Sequence, residues 1–244
     1  MKKSSPNSMI KAAARGQLLG KYPTVVFAYL MSEFTIYALS YISRNTLDLS
    51  RTVSIVIFIL LQFILILLSG ILLCGQNYLY LNIARNKPFS PQDVWYGLTH
   101  LADRILIIEL LIAFHIFLRS LPSILLLALW FHTKSIIAGF FAAAFLGITV
   151  VYAVLILLGY SQTLFLILED PSASLEEVLE AGPLLMHGNV LSYLKLLISF
   201  IGLFILSILS FGLGFLWVMP YFHASRTNFY LSLLKKRAQK KQVA

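Results

Sequence analysis

Among the ionisable residues inside long apolar runs of the sequence, four are candidates for a polar cluster: Glu33, Glu109, His223 and Arg226. Burying a charged side chain at membrane depth costs roughly 2.5–3.5 kcal/mol on insertion scales, so each such group needs a partner or a use. Carboxyl and imidazole groups can exchange protons at the pH of a cell. These residue types therefore suit a proton-linked or substrate-binding role, provided that the fold brings them together.

Their depths match when each is counted along its own helix. At about 1.5 Å per residue, Glu33 lies about 16 Å into the first apolar run, while Arg226 and His223 lie about 13 and 18 Å before the end of the last one. His223 and Arg226 share a helix face because they are three residues apart. We therefore predict a buried Glu33–Arg226 ion pair, with His223 beside it and Glu109 joining from a third helix. A purely structural role, closing the bundle, is the other interpretation.

The composition indicates a membrane protein. The chain has 244 residues, of which 59% are hydrophobic and 12% are charged, and its mean hydropathy is +0.85. Soluble domains have roughly 45–50% apolar and about 25% charged residues. The net charge of +9 does not indicate nucleic-acid binding, because 10 of the 19 Lys and Arg lie in two terminal stretches beside apolar runs. That placement favours contact with anionic lipid headgroups.

Apolar run lengths predict an all-α integral membrane protein with six transmembrane helices, since about 20 residues cross a bilayer core. Four spans are expected at about 23–43, 53–82, 105–131 and 136–168, and two more within 190–234. The fourth must tilt, protrude or break near Gly159, and "SFGLG" provides a turn between the last two. Five basic residues near each end place both termini in the cytoplasm.

Two stretches that follow the second and fourth spans align with each other. "GQNYLYLNIARNKPFSPQDVW" and "GYSQTLFLILEDPSASLEEVL" each place a helix N-cap serine, Ser90 or Ser174, three residues before an acid. A similar start lies near Ser8. The chain is thus predicted to be one membrane domain, 1–244, of three pseudo-repeats, each a cytoplasmic interfacial helix followed by a transmembrane hairpin. Their bounds are 8–84, 90–168 and 174–234, before a basic tail at 235–244.

The C-terminal third carries a family resemblance. The stretches "SLEEVLEAGPLLMHGN", "SFIG", "GLGFLWVMPY" and "FY" resemble bacterial integral membrane proteins of domain of unknown function family 975, with looser likeness upstream. The residues in the last three motifs are Ser199, Phe200, Gly202, Gly212, Gly214, Trp217, Pro220, Tyr221, Phe229 and Tyr230. The resemblance implies a multi-span protein of a bacterial plasma membrane and implies no activity. The chain departs from the family pattern at Leu203, at Gly159 and at Arg226.

No motif names a reaction. Metal-ligand spacings, nucleophile elbows and phosphate loops are absent from the sequence, so no catalytic residue, metal or cofactor is expected. Three functions remain open: a non-enzymatic accessory or scaffold module acting through lipid or protein contacts, a small transporter or lipid-handling protein using the intramembrane polar residues, and an intramembrane enzyme. We expect the first. Its partners would be the bilayer, anionic headgroups at the basic termini, and a membrane-protein partner or a second copy.

Overall fold

The computed structural model describes residues 6–243, and in that range the secondary structure consists of helices joined by short turns and loops, with no strand. Short 3₁₀ turns at Pro91–Trp95 and Tyr160–Gln162 interrupt the series. The α-helices are α1 Pro6–Leu18, α2 Tyr22–Thr46, α3 Thr52–Ala84, α4 Tyr96–His100, α5 Ala102–Thr133, α6 Ile136–Gly159, α7 Thr163–Glu169, α8 Leu175–Met186, α9 Val190–Ile198, α10 Ile201–Leu209 and α11 Phe215–Val243.

Five helical runs are long and apolar enough to cross a membrane. They are Tyr22–Thr46, Thr52–Ala84, Ala102–Thr133, Ile136–Glu169 and Val190–Leu209. Of the three alternatives for the fourth run, the structure shows an interruption near Gly159, because α6 ends at that residue and a 3₁₀ turn leads into α7. The predicted turn at Ser210–Gly214 is confirmed. Gly212 adopts φ +88° there, a left-handed conformation that favours glycine.

The bundle has two zones that differ in what covers the helices. Between Val53 and Ile66, α3 exposes most of its apolar side chains, whereas between Gly70 and Ile83 nearly all of its residues are buried. Helices α2, α5, α6 and α10 expose apolar side chains in the same way as the first part of α3. An apolar surface of this extent needs lipid to cover it. The zone that includes the α3 C-terminal half is instead covered by α1, α4, α7 and α11.

Helix α11, the predicted sixth span, is not among the five apolar runs in residues 6–243. Its polar residues His223, Ser225 and Thr227 are between 0 and 5% exposed, because α1, α2, α3 and α10 pack around the helix. A helix enclosed by protein does not need an apolar surface toward lipid, and its polar side chains can bond within the bundle. The low hydropathy of α11 is therefore compatible with its enclosed position.

Both predicted capping serines begin helical turns. The Ser174 hydroxyl accepts a hydrogen bond from the Glu177 backbone N–H at 3.2 Å, and the Ser174 N–H donates to the Glu177 carboxylate at 3.0 Å. The Ser90 N–H donates to the Asp93 carboxylate at 3.2 Å. Each acid thus satisfies a backbone donor that the helix itself leaves unpaired.

The 3₁₀ turn and α4 dock against α3 through two glycines. A Cβ on Gly75 would lie 1.8 Å from the Val94 carbonyl oxygen, and a Cβ on Gly97 would lie 2.3 Å from the Ile71 carbonyl oxygen. Val94 is fully buried between these contacts. Only glycine allows the two backbones to approach this closely, and the contact fixes the segment that precedes α5.

Candidate functional site

A cavity of about 610 Å³ lies between α3, α5, α7, α9 and α11, and it is open toward the outer surface, where its lining residues Phe63 and Ile66 are exposed. Glu109 from α5 and Arg226 from α11 both line its wall, so two of the four predicted polar residues share one cavity. Other polar groups in the lining are Ser69, Tyr160, Ser161, Thr163 and Tyr193. The rest of the wall is mostly apolar: Phe63, Ile66, Leu67, Gly70, Leu73, Ile108, Ile112, Ala113, Ile116, Leu157, Leu158, Leu164, Leu197 and Phe222.

Arg226 is held in place by a neighbouring helix. Its Nε donates a hydrogen bond to the Tyr193 hydroxyl at 3.0 Å, and its guanidinium lies 5.8 Å from the centre of the Phe222 ring. Tyr193 is itself buried and packs against Phe229, with ring centroids 5.0 Å apart. A guanidinium has five N–H donors and stays charged. One donor is used by Tyr193, which leaves the terminal amino groups to face the cavity wall.

Glu109 lies against a glycine of α3. A Cβ on Gly70 would be 1.3 Å from the Glu109 Oε1 atom, so the carboxyl group occupies the space that any side chain at position 70 would fill. Glu109 is half-buried. Because α3 and α5 meet at this point, Gly70 determines where the carboxyl group lies in the cavity.

His223 is buried outside the cavity. Its ring stacks on Tyr80 of α3 with centroids 5.6 Å apart and meets Phe222 edge to face at 5.8 Å. Its Nδ1 atom is buried and has no hydrogen-bond partner among residues 6–243. The ring therefore belongs to the contact between α3 and α11, and it is not part of the cavity lining that includes Arg226.

Glu33 lies apart from the other three residues. It is exposed on α2, in a surface hollow formed with Phe27, Leu30, Met31, Phe34 and Tyr37. The predicted Glu33–Arg226 ion pair does not form: within residues 6–243 the ion pairs are Arg51–Asp48 and Arg85–Glu169. The depths match, but the rotation of α2 turns Ser32 inward, 3% exposed, and Glu33 outward. Depth alone does not determine which face of a helix a residue occupies.

Tyr193, Gly70 and Thr163 contribute to the cavity, and the sequence analysis did not predict them. Tyr193 is separated from its partner Arg226 by 33 residues, and no local pattern links the two. Gly70 lies in "LSGILLCG", where a glycine in an apolar helix was the available signal of a close approach. Thr163 follows the predicted break at Gly159, and its hydroxyl is buried without a hydrogen-bond partner in the part of the chain that the structure describes.

Most of the family-like motif residues form the contact between α9, α10, α11 and α1. Phe200, Phe229 and Tyr230 are fully or almost fully buried. Phe200 packs against Tyr221, with centroids 5.0 Å apart. A Cβ on Gly214 would lie 2.7 Å from the backbone of Ser207. These contacts, together with the turn at Gly212, explain why the motif specifies a fold.

Lys11 of α1 completes this contact. Its Nζ donates to the Ser199 carbonyl oxygen at 3.0 Å and to the Ser199 hydroxyl at 2.9 Å, and lies 4.1 Å from the centre of the Phe200 ring. Desolvation lowers the pKa of Lys11 below its ordinary value, and the nearby positive charge of Arg15 lowers the pKa further. The ammonium group thus bonds to α9 where the helix is interrupted before α10.

Metal-binding chemistry has no site in the part of the chain that the structure describes. Residues 6–243 contain no group of three or more His, Cys, Asp or Glu side chains that could hold a metal ion. Cys74 is buried in the contact of α3 with α5 and α7. The polar chemistry of the interior is therefore that of the cavity and of the buried amide and hydroxyl groups on α3, α7 and α11.

The five apolar helical runs, each long enough to cross a bilayer, are typical of a multi-span helical membrane protein. The chain matches the sequence profile described as "Protein of unknown function (DUF975)" over residues 1–237, and it belongs to that family. The predicted resemblance is confirmed and extends over nearly the whole chain. No curated protein and no solved structure matches it.

Proposed function

We propose that this protein is a non-enzymatic, lipid-handling membrane protein that binds an amphiphile with one anionic group in the cavity between α3, α5, α7, α9 and α11. The observation behind this proposal is the position of Arg226 in an otherwise mostly apolar cavity of about 610 Å³. Ligand sites for small molecules typically enclose about 300–1,000 Å³, with a mostly apolar wall and a few polar groups that orient the ligand.

The anionic group is inferred from the chemistry of Arg226. The guanidinium remains charged inside the bundle, and no carboxylate in residues 6–243 lies within ion-pair distance of it. Arg226 is partly buried, and a charge that is partly withdrawn from water is stabilised by a counter-ion, so a bound carboxylate or phosphate would neutralise Arg226. Tyr193 holds the guanidinium by its Nε atom, which leaves both terminal amino groups for a bidentate contact.

This proposal favours lipid handling over a pure scaffold. A scaffold that acts only through its outer surface needs no cavity, and its interior polar residues would pair with each other. Arg226 and Glu109 instead line the same cavity without forming an ion pair in the described part of the chain. The apolar chain of an amphiphile would contact the walls from α3 and α5, while its polar end would lie near α11.

We further propose that α11 is a sixth span and that the chain contains three pseudo-repeats. Two observations support the repeats. Ser90 and Ser174 start equivalent turns, and the residues four positions later, Val94 and Val178, are both buried. Arg85 and Glu169, which precede these serines by five residues, form an ion pair with each other. The equivalent ends of the second and fourth spans therefore meet.

The remaining aspects of the proposal concern the cellular setting. An even number of spans and five basic residues near each terminus favour both ends in the cytoplasm. The family resemblance favours the plasma membrane of a bacterium. A second copy or another membrane protein could cover the exposed apolar faces of α5 and α6, which is the partner contact that the sequence predicts.

Binding of radiolabelled palmitate to the purified protein, measured by scintillation proximity in detergent micelles, tests the proposal. We expect saturable binding, with unlabelled palmitate competing better than hexadecanol, which has the same chain and no charge. Arg226→Gln should weaken binding about tenfold or more, because a hydrogen bond to a charged group contributes about 1.5–3 kcal/mol.

Two alanine-to-phenylalanine substitutions, one in the cavity lining and one outside it, test whether the ligand binds in the cavity. Both alanines are exposed, but Ala113 of α5 belongs to the cavity lining and Ala144 of α6 lies outside it. Ala113→Phe should abolish most of the palmitate binding by occupying cavity volume, and Ala144→Phe should leave binding unchanged. Equal binding by both variants would refute the cavity as the ligand site.

A further inference from the structure

A second cleft, of about 330 Å³, lies where the turn between α8 and α9 meets the C-terminal part of α11. Its lining combines leucines with basic and amide side chains: Leu184, Leu185, His187, Asn189, Leu233, Lys236 and Arg237. None of the described side chains that line this cleft is acidic. The basic groups at this end of the chain are therefore arranged around a concave surface.

The turn between the helices holds one wall of the cleft in a defined position. Gly188 adopts φ +73°, which lets the chain reverse within three residues. Asn189 then donates to the Leu185 and His187 carbonyl oxygens at 3.4 and 3.3 Å and accepts from the Lys236 Nζ at 3.4 Å. The amide thus links the end of α8 to α11.

The cleft is separate from the cavity that contains Arg226. The two linings have no residue in common, and Tyr193, which lines the cavity, packs against Phe229 with ring centroids 5.0 Å apart. Each of those residues is 3% exposed. Lys236 follows Arg226 by ten residues, about 15 Å along the helix axis. One small ligand group cannot contact both sites.

The edge of the cleft is apolar and exposed. Leu184 is 65% exposed and Leu191, at the start of α9, is 63% exposed. Exposed leucines beside a basic cleft are typical of a surface that meets the boundary between headgroups and acyl chains, where cations contact phosphate and leucines contact hydrocarbon. A soluble anion would use the cations and would leave the leucines without a function.

We propose that this cleft binds the phosphate group of an anionic phospholipid, with Lys236 and Arg237 contacting the phosphate and Leu184 contacting an acyl chain. Arg237 can form paired hydrogen bonds to two phosphate oxygens, and Lys236 adds a point charge. His187 and Asn189 provide further donors at the other wall. The site would hold one lipid at a fixed position beside α8 and α11.

Native mass spectrometry of the full chain in a mild detergent tests this site, with dilauroyl phosphatidylglycerol as the probe and dilauroyl phosphatidylcholine, whose zwitterionic headgroup has no net charge, as the comparison. Arg237→Gln should reduce the retained phosphatidylglycerol about tenfold. Lys235→Gln is the matched control, because Lys235 is an exposed cation of the same helix outside the cleft lining. Arg226→Gln should also leave phosphatidylglycerol bound, which distinguishes this site from the cavity.

Three results would overturn the proposal: equal losses for Arg237→Gln and Lys235→Gln, equal retention of phosphatidylcholine, or full displacement of phosphatidylglycerol by millimolar inorganic phosphate. The first would mean that only net charge matters, and the third would assign the cleft to a soluble anion. Circular dichroism of each variant, unchanged from the parent protein, ensures that a loss of binding reflects the cleft and not misfolding.

Discussion

Gly75→Ala should detach the segment before α5 from α3. The added Cβ would lie 1.8 Å from the Val94 carbonyl oxygen, and because real Cβ atoms essentially never come closer than 3.0 Å, the two backbones must separate by at least 1.2 Å. Neither atom belongs to a flexible side chain. Overpacking costs about 1–3 kcal/mol. Because this clash is between two backbones, we expect a cost at the upper end of that range, about 3 kcal/mol.

The helix propensity of alanine offsets part of that cost. Alanine stabilises a helix interior by about 1 kcal/mol relative to glycine, so the net destabilisation should be about 2 kcal/mol. That value corresponds to roughly a 30-fold change in the equilibrium between docked and undocked segments. Hydrogen exchange over residues 91–100, followed by mass spectrometry, measures the opening directly.

Gly147→Ala is the matched control for this experiment. Gly147 lies inside α6, and an added Cβ would meet nothing within 4 Å. This substitution should leave exchange in residues 91–100 unchanged. If Gly75→Ala left the exchange of that segment as slow as in the parent protein, the close approach of α3 to Val94 would be refuted.

Three further predictions concern stability. Ser174→Ala should lower the free energy of unfolding by about 1 kcal/mol through loss of the cap, as measured by denaturant titration in micelles; no change would contradict the capping role. Gln17→Leu and Asn228→Leu should show a coupling energy of about 1 kcal/mol in a double-mutant cycle, because their amides bond to each other; strictly additive effects would argue against that pair. Since burial lowers the pKa of Lys11 in the folded state, the unfolded state binds more protons and stability should rise with pH in the alkaline range below 10.5. Lys11→Met should remove that rise, and an unchanged pH slope would contradict the desolvation of Lys11.

Local patterns predicted the helix boundaries well. The capping pairs at Ser90 and Ser174, the break at Gly159 and the turn at Gly212 all depend on a few adjacent residues, so the sequence contains the whole signal. The four spans before residue 170 and the run from Val190 follow in the same way from apolar length. Each of these features is determined by residues that are close to it in the sequence.

The arrangement of the polar residues could not be predicted, because it depends on how each helix is rotated in the bundle. Glu33 and Arg226 have matching depths, yet Glu33 faces outward. Glu109 lies in the cavity because Gly70, on another helix, leaves room for its carboxyl group. The hydrogen bond from Arg226 to Tyr193 joins two helices with no sequence pattern in common.

Helix α11 shows that the same limit on sequence-based prediction applies to the position of a whole helix. Hydropathy identifies helices that face lipid, and α11 is surrounded by α1, α2, α3 and α10. Its buried His223, Ser225 and Thr227 lower its hydropathy without exposing polar groups to hydrocarbon. An enclosed helix can therefore be central to a membrane protein and still fall outside the apolar runs.

Photo-crosslinking in native membranes tests most directly whether the cavity binds an amphiphile. A palmitate with a diazirine near the end of its chain would be activated with and without excess unlabelled palmitate, and the adducts located by mass spectrometry. We predict that excess palmitate removes adducts from the cavity residues Leu67 and Leu197 while leaving adducts on the exposed Phe140 of α6. Adducts that respond equally at the cavity and at Phe140 would contradict a lipid site inside the bundle.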